Sequence, residues 1–421
     1  MKQVASILST YSADTFGVCS ALFELGGMIV IHDPSGCNST YTTHDEPRWY
    51  DHDSLIYVSA MTERDAVLGD DHRLIEEIVT AARQQQPRFI CLIPSQIAHL
   101  ISTDCRAICR ILEKKTGIPA FTLPTNSMHY YERGIYLALE HLANWALGQA
   151  AAPARGCPLP HEQPDGKAHP AARRRINLLG ITPLDYGSAT TLSSLKAWLA
   201  QNGLTLQACW AMGSSLEDIA VSAHGADCSL VMSYGGLGAA RRLYETAGIP
   251  YVCGAPFGTA GKLIAQDLKT CQEPAPAALW TPHIGRLGSK KEQEASLPAP
   301  CHPCYIIGET VFAQSLAYAL AQATGQAFTA IVPVETDGEI LAGSTLQLCD
   351  EDELRPHLES ARLVIADPLY APIVPATCQF ISLPHRGFSG RTYERQLPDL
   401  MDAAAYQVFL QEVLHALWIS C

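Results

Sequence analysis

Short apolar strands alternating with helical stretches predict an α/β protein of three doubly wound, Rossmann-like domains with mostly parallel sheets. Three observations carry that expectation. The strand–helix alternation recurs in three separate segments of the chain. The strands read as nearly continuous apolar runs, as strands covered on both faces do. Two stretches rich in Pro, Ala and charge carry no periodic apolar pattern and divide the segments. At 421 residues the chain also exceeds one ordinary core, so two or three domains are expected.

Residues 1–150 form the first predicted domain. Its strands are MIVIH, SLIYVSA, RFICLIP and AFTLP, with helical stretches such as Asp71–Gln85 and Cys105–Thr116 between them. Residues 151–175 are predicted as linker. Residues 176–285 form the second domain, from INLLGI through the helix SSLKAWLAQNG, the strand LTLQACW, the helix SLEDIAVSA and the strand CSLVMSY. The helix LGAARRLYETAG and the strand IPYVCG follow. Residues 286–300 are a second linker, within IGRLGSKKEQEASLPAP. Residues 301–421 form the third domain, with strands CYIIGE, FTAIVPV and RLVIADP around the helices TVFAQSLAYALAQATG and DEDELRPHLES.

Apolar residues make up 48% of the chain and charged ones 17%, which describes a well-buried globular protein rather than a disordered one. The formal charge of −13 argues against a nucleic-acid partner, because neutralising phosphates takes a surplus of Lys and Arg. No apolar run reaches the roughly 18–20 residues that span a bilayer, and the N-terminal residues lack a secretory pattern. No membrane association and a cytoplasmic location are therefore expected. There, the 15 cysteines are expected to be reduced thiols, mostly small buried hydrophobes.

The chemistry-bearing stretch is HDPSGC, His32 to Cys37, which follows the strand MIVIH. After it come SAMTERDAVLGDD, Ser59 to Asp71, and the helix beginning RLIEEIV. Gly36 lets the chain turn tightly where a group must approach the backbone, and a Cys37 thiolate is the soft ligand that iron–sulfur clusters use. In combination these residues resemble the nitrogenase component 1 superfamily, which includes dark-operative protochlorophyllide reductases and nickel-tetrapyrrole reductases. The resemblance extends over nearly the whole chain and includes the GIPY…PFGT segment, Gly248 to Thr259.

That resemblance implies that Cys37, with Gly36, binds an iron–sulfur cluster at a subunit interface. An ATP-hydrolysing iron–sulfur reductase would feed it electrons. The neighbouring subunit would be a homologous component 1 chain, the same or a paralogue. The family's two other interface cysteines fall at Tyr11–Ala13 and Ser95–Gln96, where none stands. A small 4Fe–4S cluster shared between subunits is what remains, and Asp14 is a candidate carboxylate ligand because relatives replace one thiolate so. The family's cofactor-binding Cys falls on Ser233 and its cofactor-binding His on His385, beside Arg386. Loss of the thiolate leaves an organic substrate, a tetrapyrrole or a differently held metallocofactor as the expected occupant. His385 would ligate metal or donate a proton, and Arg386 would hold a carboxylate or phosphate.

Other motifs fall short of their patterns. Cys301–Cys304 is a lone C-x-x-C without the second pair of a zinc ribbon. GAPFGTAGK, Gly254 to Lys262, fails the P-loop, since Pro256 and Leu263 stand where Gly and Ser/Thr are required. YGGLG, Tyr234–Gly238, is an incomplete dinucleotide fingerprint whose amides could still hold an anion. Two alternative functions stay open: a non-catalytic scaffold that assembles a metal cofactor and hands it on, and a sugar- or anion-binding α/β module. The second leaves HDPSGC and TERDAVLGDD unexplained.

Overall fold

The computed structural model describes residues 6–7, 10–34, 46–52, 54–149, 173–271, 303–341 and 345–419. They contain three sheets. The first is ordered β2-β1-β3-β4, from Met28–His32 (β1), Leu55–Val58 (β2), Ile90–Pro94 (β3) and Ala120–Thr122 (β4). The second is ordered β6-β5-β7-β8, from Arg175–Leu179 (β5), Thr205–Cys209 (β6), Cys228–Val231 (β7) and Tyr251–Cys253 (β8). The third is ordered β11-β10-β9-β12-β13, from Cys304–Ile307 (β9), Phe328–Val332 (β10), Leu346–Gln347 (β11), Leu363–Ala366 (β12) and Gln379–Ser382 (β13). Every strand pair in these sheets is parallel. Their central strands β1, β5, β9 and β12 are almost entirely buried, as parallel sheets covered on both faces require.

In each sheet the first strand lies inside, so chain direction across the sheet reverses between β1 and β3, between β5 and β7, and between β9 and β12. Ligands of open α/β sheets bind in the crevice beyond the carboxyl ends of the strands at such reversals. The fold therefore nominates three places for chemistry.

Two helices hold the first and second sheets together. Asp14–Leu22 (α1) is buried along its whole length, and Tyr131–Gly148 (α6) is buried on most of its surface. α1, buried all round, belongs in the core, whereas α6 keeps a partly exposed polar stripe of Arg133, Glu140, His141 and Asn144. They cross closely because both carry glycine at the contact. A Cβ on Gly17 would lie 1.9 Å from the Tyr131 carbonyl oxygen, and one on Gly134 would lie 1.8 Å from that of Asp14. One apolar cluster runs from Phe16 and Ile135 through Trp210 to Tyr305 and Phe388, touching all three sheets. None of the helices among the described residues is long and apolar enough to cross a membrane.

Candidate functional site at the meeting of the sheets

The reversals of the second and third sheets face a common interior. Beyond β5, the segment from Gly180 to Tyr186 carries Asp185. Gly180 has φ +78°, and a Cβ there would come within 2.6 Å of the Ser233 hydroxyl, so glycine is what lets β5 end against the turn after β7. Ser233 is fully buried at that turn, and its hydroxyl donates to the Gly180 carbonyl at 2.6 Å. Its polar group thus ties two strand ends together. Tyr186 does similar work, donating to the Met232 carbonyl at 2.6 Å.

Glu309 follows β9 directly and caps the helix Thr310–Thr324 (α11). One carboxylate oxygen accepts from the Phe312 amide at 2.9 Å and the other from the Tyr234 amide at 2.8 Å. Even so, complete burial, reinforced by the nearby Asp185 charge, pushes the Glu309 carboxyl up to about 8. Glu132, at the start of α6, is also fully buried, and among the described residues neither of its oxygens has a hydrogen-bond partner. Burial first, then Asp185, drives it far above the ordinary carboxyl range. Asp185 accepts from the Tyr131 hydroxyl at 2.5 Å through one oxygen, while its other oxygen is unpartnered. Burial also holds Tyr131 in its neutral form. Glu132 and Glu309 are thus both pushed toward their protonated forms, burial being the main cause in each.

His385 approaches the cluster from the third sheet. It precedes the single turn Arg386–Ser389 (α13), and its amide donates to Asp367 at 2.8 Å. The Ser389 hydroxyl donates to the same Asp367 oxygen at 2.8 Å. The His385 Nε2 lies 3.4 Å from Asp185, and among the described residues neither ring nitrogen makes a hydrogen bond. The ring packs beside Phe388, with centroids 4.5 Å apart. Arg386 is buried next to it and donates to Glu394 at 2.9 Å. The loop is moored to the first domain as well: the Tyr11 and Ser12 amides donate to Phe388 and Gly387, and Tyr131 fills the space a Cβ on Gly387 would need.

Of the sequence candidates, His385 meets this cluster; Ser233 and Arg386 lie on its framing elements, the Ser233 hydroxyl bonded to Gly180 and one Arg386 guanidinium nitrogen to Glu394. Glu132, Asp185, Glu309, Tyr131 and Asp367 were not singled out. Glu309 and Asp367 each stand at the carboxyl end of a predicted strand, which is the signal that marks them. Glu132 offers none, because an acid at a helix start ordinarily reads as a solvated first-turn residue.

The reversal of the first sheet has a different character. His32 ends β1, with its Nδ1 2.9 Å from the Ser59 hydroxyl, and burial lowers its pKa to about 4. Beside it is a cavity of about 160 Å³ lined partly by Asp65, Asp71 and Asp104. Ser95 donates to the His32 carbonyl. Asp14 is buried, and its oxygens accept from the Asn126 and Ser127 amides at 2.9 and 2.8 Å. Burial raises its pKa while those amides oppose the shift. Gly36 and Cys37 lie outside the described residues, as do Cys301 and His302. Cys304 is buried within β9. Among the described residues no three His, Cys, Asp or Glu side chains are arranged to hold a metal ion, so the described part of the first edge supplies no complete cluster donor set.

With this geometry in view, comparisons with known proteins are informative. A model of the nitrogenase component 1 type oxidoreductases matches residues 15–263, more than half of the chain. The nitrogenase iron-molybdenum cofactor biosynthesis protein NifE of Sinorhizobium fredii is 27% identical over 204 residues, covering 48% of this chain and 37% of that protein. A light-independent protochlorophyllide reductase subunit of Prosthecochloris aestuarii is 25% identical over 232 residues, covering 54% of this chain and 39% of that one. The chain thus spans well under half the length of either relative. Among solved structures, nitrogenase Cp1 at pH 6.5 superposes with a TM-score of 0.66 at 13% identity, over 99% of this chain and 94% of that one; this likeness speaks to the fold.

Proposed function

The chain belongs to the nitrogenase component 1 type oxidoreductases, and from that premise we propose that it is a subunit of a nitrogenase-like reductase. In this reading it accepts electrons from an ATP-hydrolysing iron–sulfur reductase and reduces a substrate at the cluster of Glu132, Asp185, Glu309 and His385. The observation that carries the proposal is that cluster itself. Buried polar atoms are ordinarily satisfied, and those that are not ask for an explanation; here, among the described residues, both Glu132 oxygens, one Asp185 oxygen and both His385 nitrogens make no hydrogen bond at the reversals of two sheets. A bound group with hydrogen-bonding atoms would satisfy them.

Electron entry is assigned to Cys37, with Gly36 providing the tight turn. A 4Fe–4S cluster there, shared with a homologous component 1 subunit, would supply single-electron transfer. Asp14 serves as a further oxygen ligand in this scheme only by releasing an amide of the 126–127 loop. At the buried cluster, the carboxyls of Glu132 and Glu309, which burial pushes toward their protonated forms, would give protons to a group being reduced, with the His385 ring beside Asp185. Oxygen and nitrogen atoms, with no thiolate, suit an organic substrate such as a tetrapyrrole better than a cofactor held by soft ligands. Arg386 would orient a carboxylate of such a substrate.

Iron analysis after anaerobic purification, followed by ATP-dependent electron uptake from a nitrogenase-iron-protein-type reductase, tests the proposal. Bound iron with uptake is the expected result. The similarity to NifE favours a scaffold as the second reading, for which iron without uptake is expected; absence of iron overturns both. We further propose domain boundaries near residues 150–172 and 285–300. Limited proteolysis should cut first within Ala150–Arg174, and primary cleavage inside INLLGI or CSLVMSY would contradict that layout.

A further inference from the structure

The GAPFGTAGK segment, which fails the P-loop pattern, opens onto a separate groove. Its volume is about 580 Å³, and it lies between Thr191–Gln201 (α7), Gly258–Thr270 (α10) and Ala403–Ile419 (α14). α10 begins there with no side-chain cap; the Ala260 amide donates back to the Phe257 carbonyl at 2.9 Å, and the Gly258 and Thr259 amides lie at the positive end of the helix dipole. Gly258 and Gly261 lie one turn apart on one face of α10. A Cβ at Gly258, where φ is +43°, would stand 2.6 Å from the Tyr406 ring, and one at Gly261 would stand 3.0 Å from the indole nitrogen of Trp198. The two glycines therefore let two aromatic rings close on the start of the helix.

Tyr406 lines the groove, is only 4% exposed, and has a hydroxyl without a hydrogen-bond partner among the described residues. A buried donor of this kind asks for an acceptor. Lys262 lines the same groove one turn along α10, exposed and, among the described residues, in no ion pair. The acid on the rim, Asp402, directs one oxygen to the Ala404 and Ala405 amides at the start of α14.

We propose that this groove binds a small phosphorylated ligand bearing a flat ring, its phosphate at the α10 N-terminus between Lys262 and the Tyr406 hydroxyl, its ring against Trp198. Burial moves the Tyr406 hydroxyl up to about 12, so it remains a donor at neutral pH.

Calorimetric titration of the full chain with inorganic phosphate and with adenosine monophosphate tests this. Both should bind saturably and compete, the nucleotide more tightly. Lys262→Ala should weaken both by roughly tenfold, the loss of one charge-assisted hydrogen bond. Tyr406→Phe should also weaken both, while Trp198→Ala should weaken only the nucleotide. Should Tyr406→Phe fail to fold, Thr259→Glu at the exposed helix start supplies the check, because its added carboxylate should abolish binding. No saturable binding of either probe, or binding that Lys262→Ala and Thr259→Glu leave unchanged, would overturn the proposal.

Discussion

Acidic side chains gather at two places in this protein, the reversal of the first sheet and the joint interior of the second and third, and they are treated in opposite ways. At the first sheet, Asp65 closes a capping box with Thr62 at the start of Glu63–Leu68 (α2) and accepts from Arg73. The Thr62 amide and hydroxyl, with Arg73 adding to them, hold its carboxyl below the ordinary range. At the second and third sheets, Glu132 and Glu309 are carried above that range by burial. A carboxylate with partners at the surface stabilises local structure. A carboxyl sealed away from water without a donor costs folding free energy, and it persists where something else depends on it. The contrast separates an acidic surface from an acidic site.

The largest effect expected concerns what each edge holds. Replacing Cys37 by Ala should remove the bound iron and the broad visible absorption of the anaerobically purified protein while leaving the circular dichroism of the fold intact. Full iron retention would sink the assignment of the first edge to electron entry. At the buried edge, His385→Ala should lower turnover with the cognate reductase by roughly a hundredfold or more, the usual scale for losing a proton-transfer group, with iron content unchanged. Unaltered turnover would show that the histidine packs rather than reacts.

Glu132 sharpens the comparison through pH. Its folded pKa is raised, so the folded protein binds more protons than the unfolded chain at pH values between the two pKa values. The stability it contributes is complete below about pH 4.3, the unfolded value, and declines as pH rises above it. Glu132→Gln keeps the shape and the neutral charge, and should flatten that decline by up to about 1.4 kcal/mol per pH unit. Denaturant midpoints at pH 5, 6.5 and 8 measure it. Parallel wild-type and variant profiles would mean that Glu132 is ionised in the native state and that the unpaired oxygens have another explanation.

How legible these two edges are in the sequence follows from their construction. The strands with apolar runs, such as Met28–His32, and the helices with a clear polar face, such as Cys105–Thr116, occur where the pattern places them, because burial on two faces or on one leaves a periodic trace. The first edge is written in one contiguous segment, HDPSGC with TERDAVLGDD, so a motif identifies it. The buried cluster draws Glu132, Asp185, Glu309 and His385 from all three predicted domains, separated by more than fifty residues at each step. No local pattern joins them. The crossing of α1 and α6 at Gly17 and Gly134, the mooring of the 387–388 loop by Tyr11 and Ser12, and the bond from the Gly387 amide to the Leu184 carbonyl help to bring them together.

The smallest effect belongs to the surface acids. Thr62 accepts from the Asp65 amide, and the Asp65 side chain accepts from the Thr62 amide in return, so two orphan donors at the start of α2 are satisfied by one pair of residues. None of the six α2 residues is buried, so this cap, rather than core packing, is what holds the turn. Thr62→Ala should therefore cost about 1 kcal/mol, the usual price of an N-cap, and confine the loss to α2. Its pH signature runs opposite to that of Glu132. Asp65 has a depressed pKa, so its contribution is complete above about pH 3.9 and is lost as pH falls through the folded value. Hydrogen exchange of the 63–69 amides at pH 7 and pH 3 measures both. Fast exchange in the variant at pH 7, matching wild type at pH 3, is expected; protection that survives Thr62→Ala would mean that packing orders this helix and that the two acidic edges differ less than their pKa values suggest.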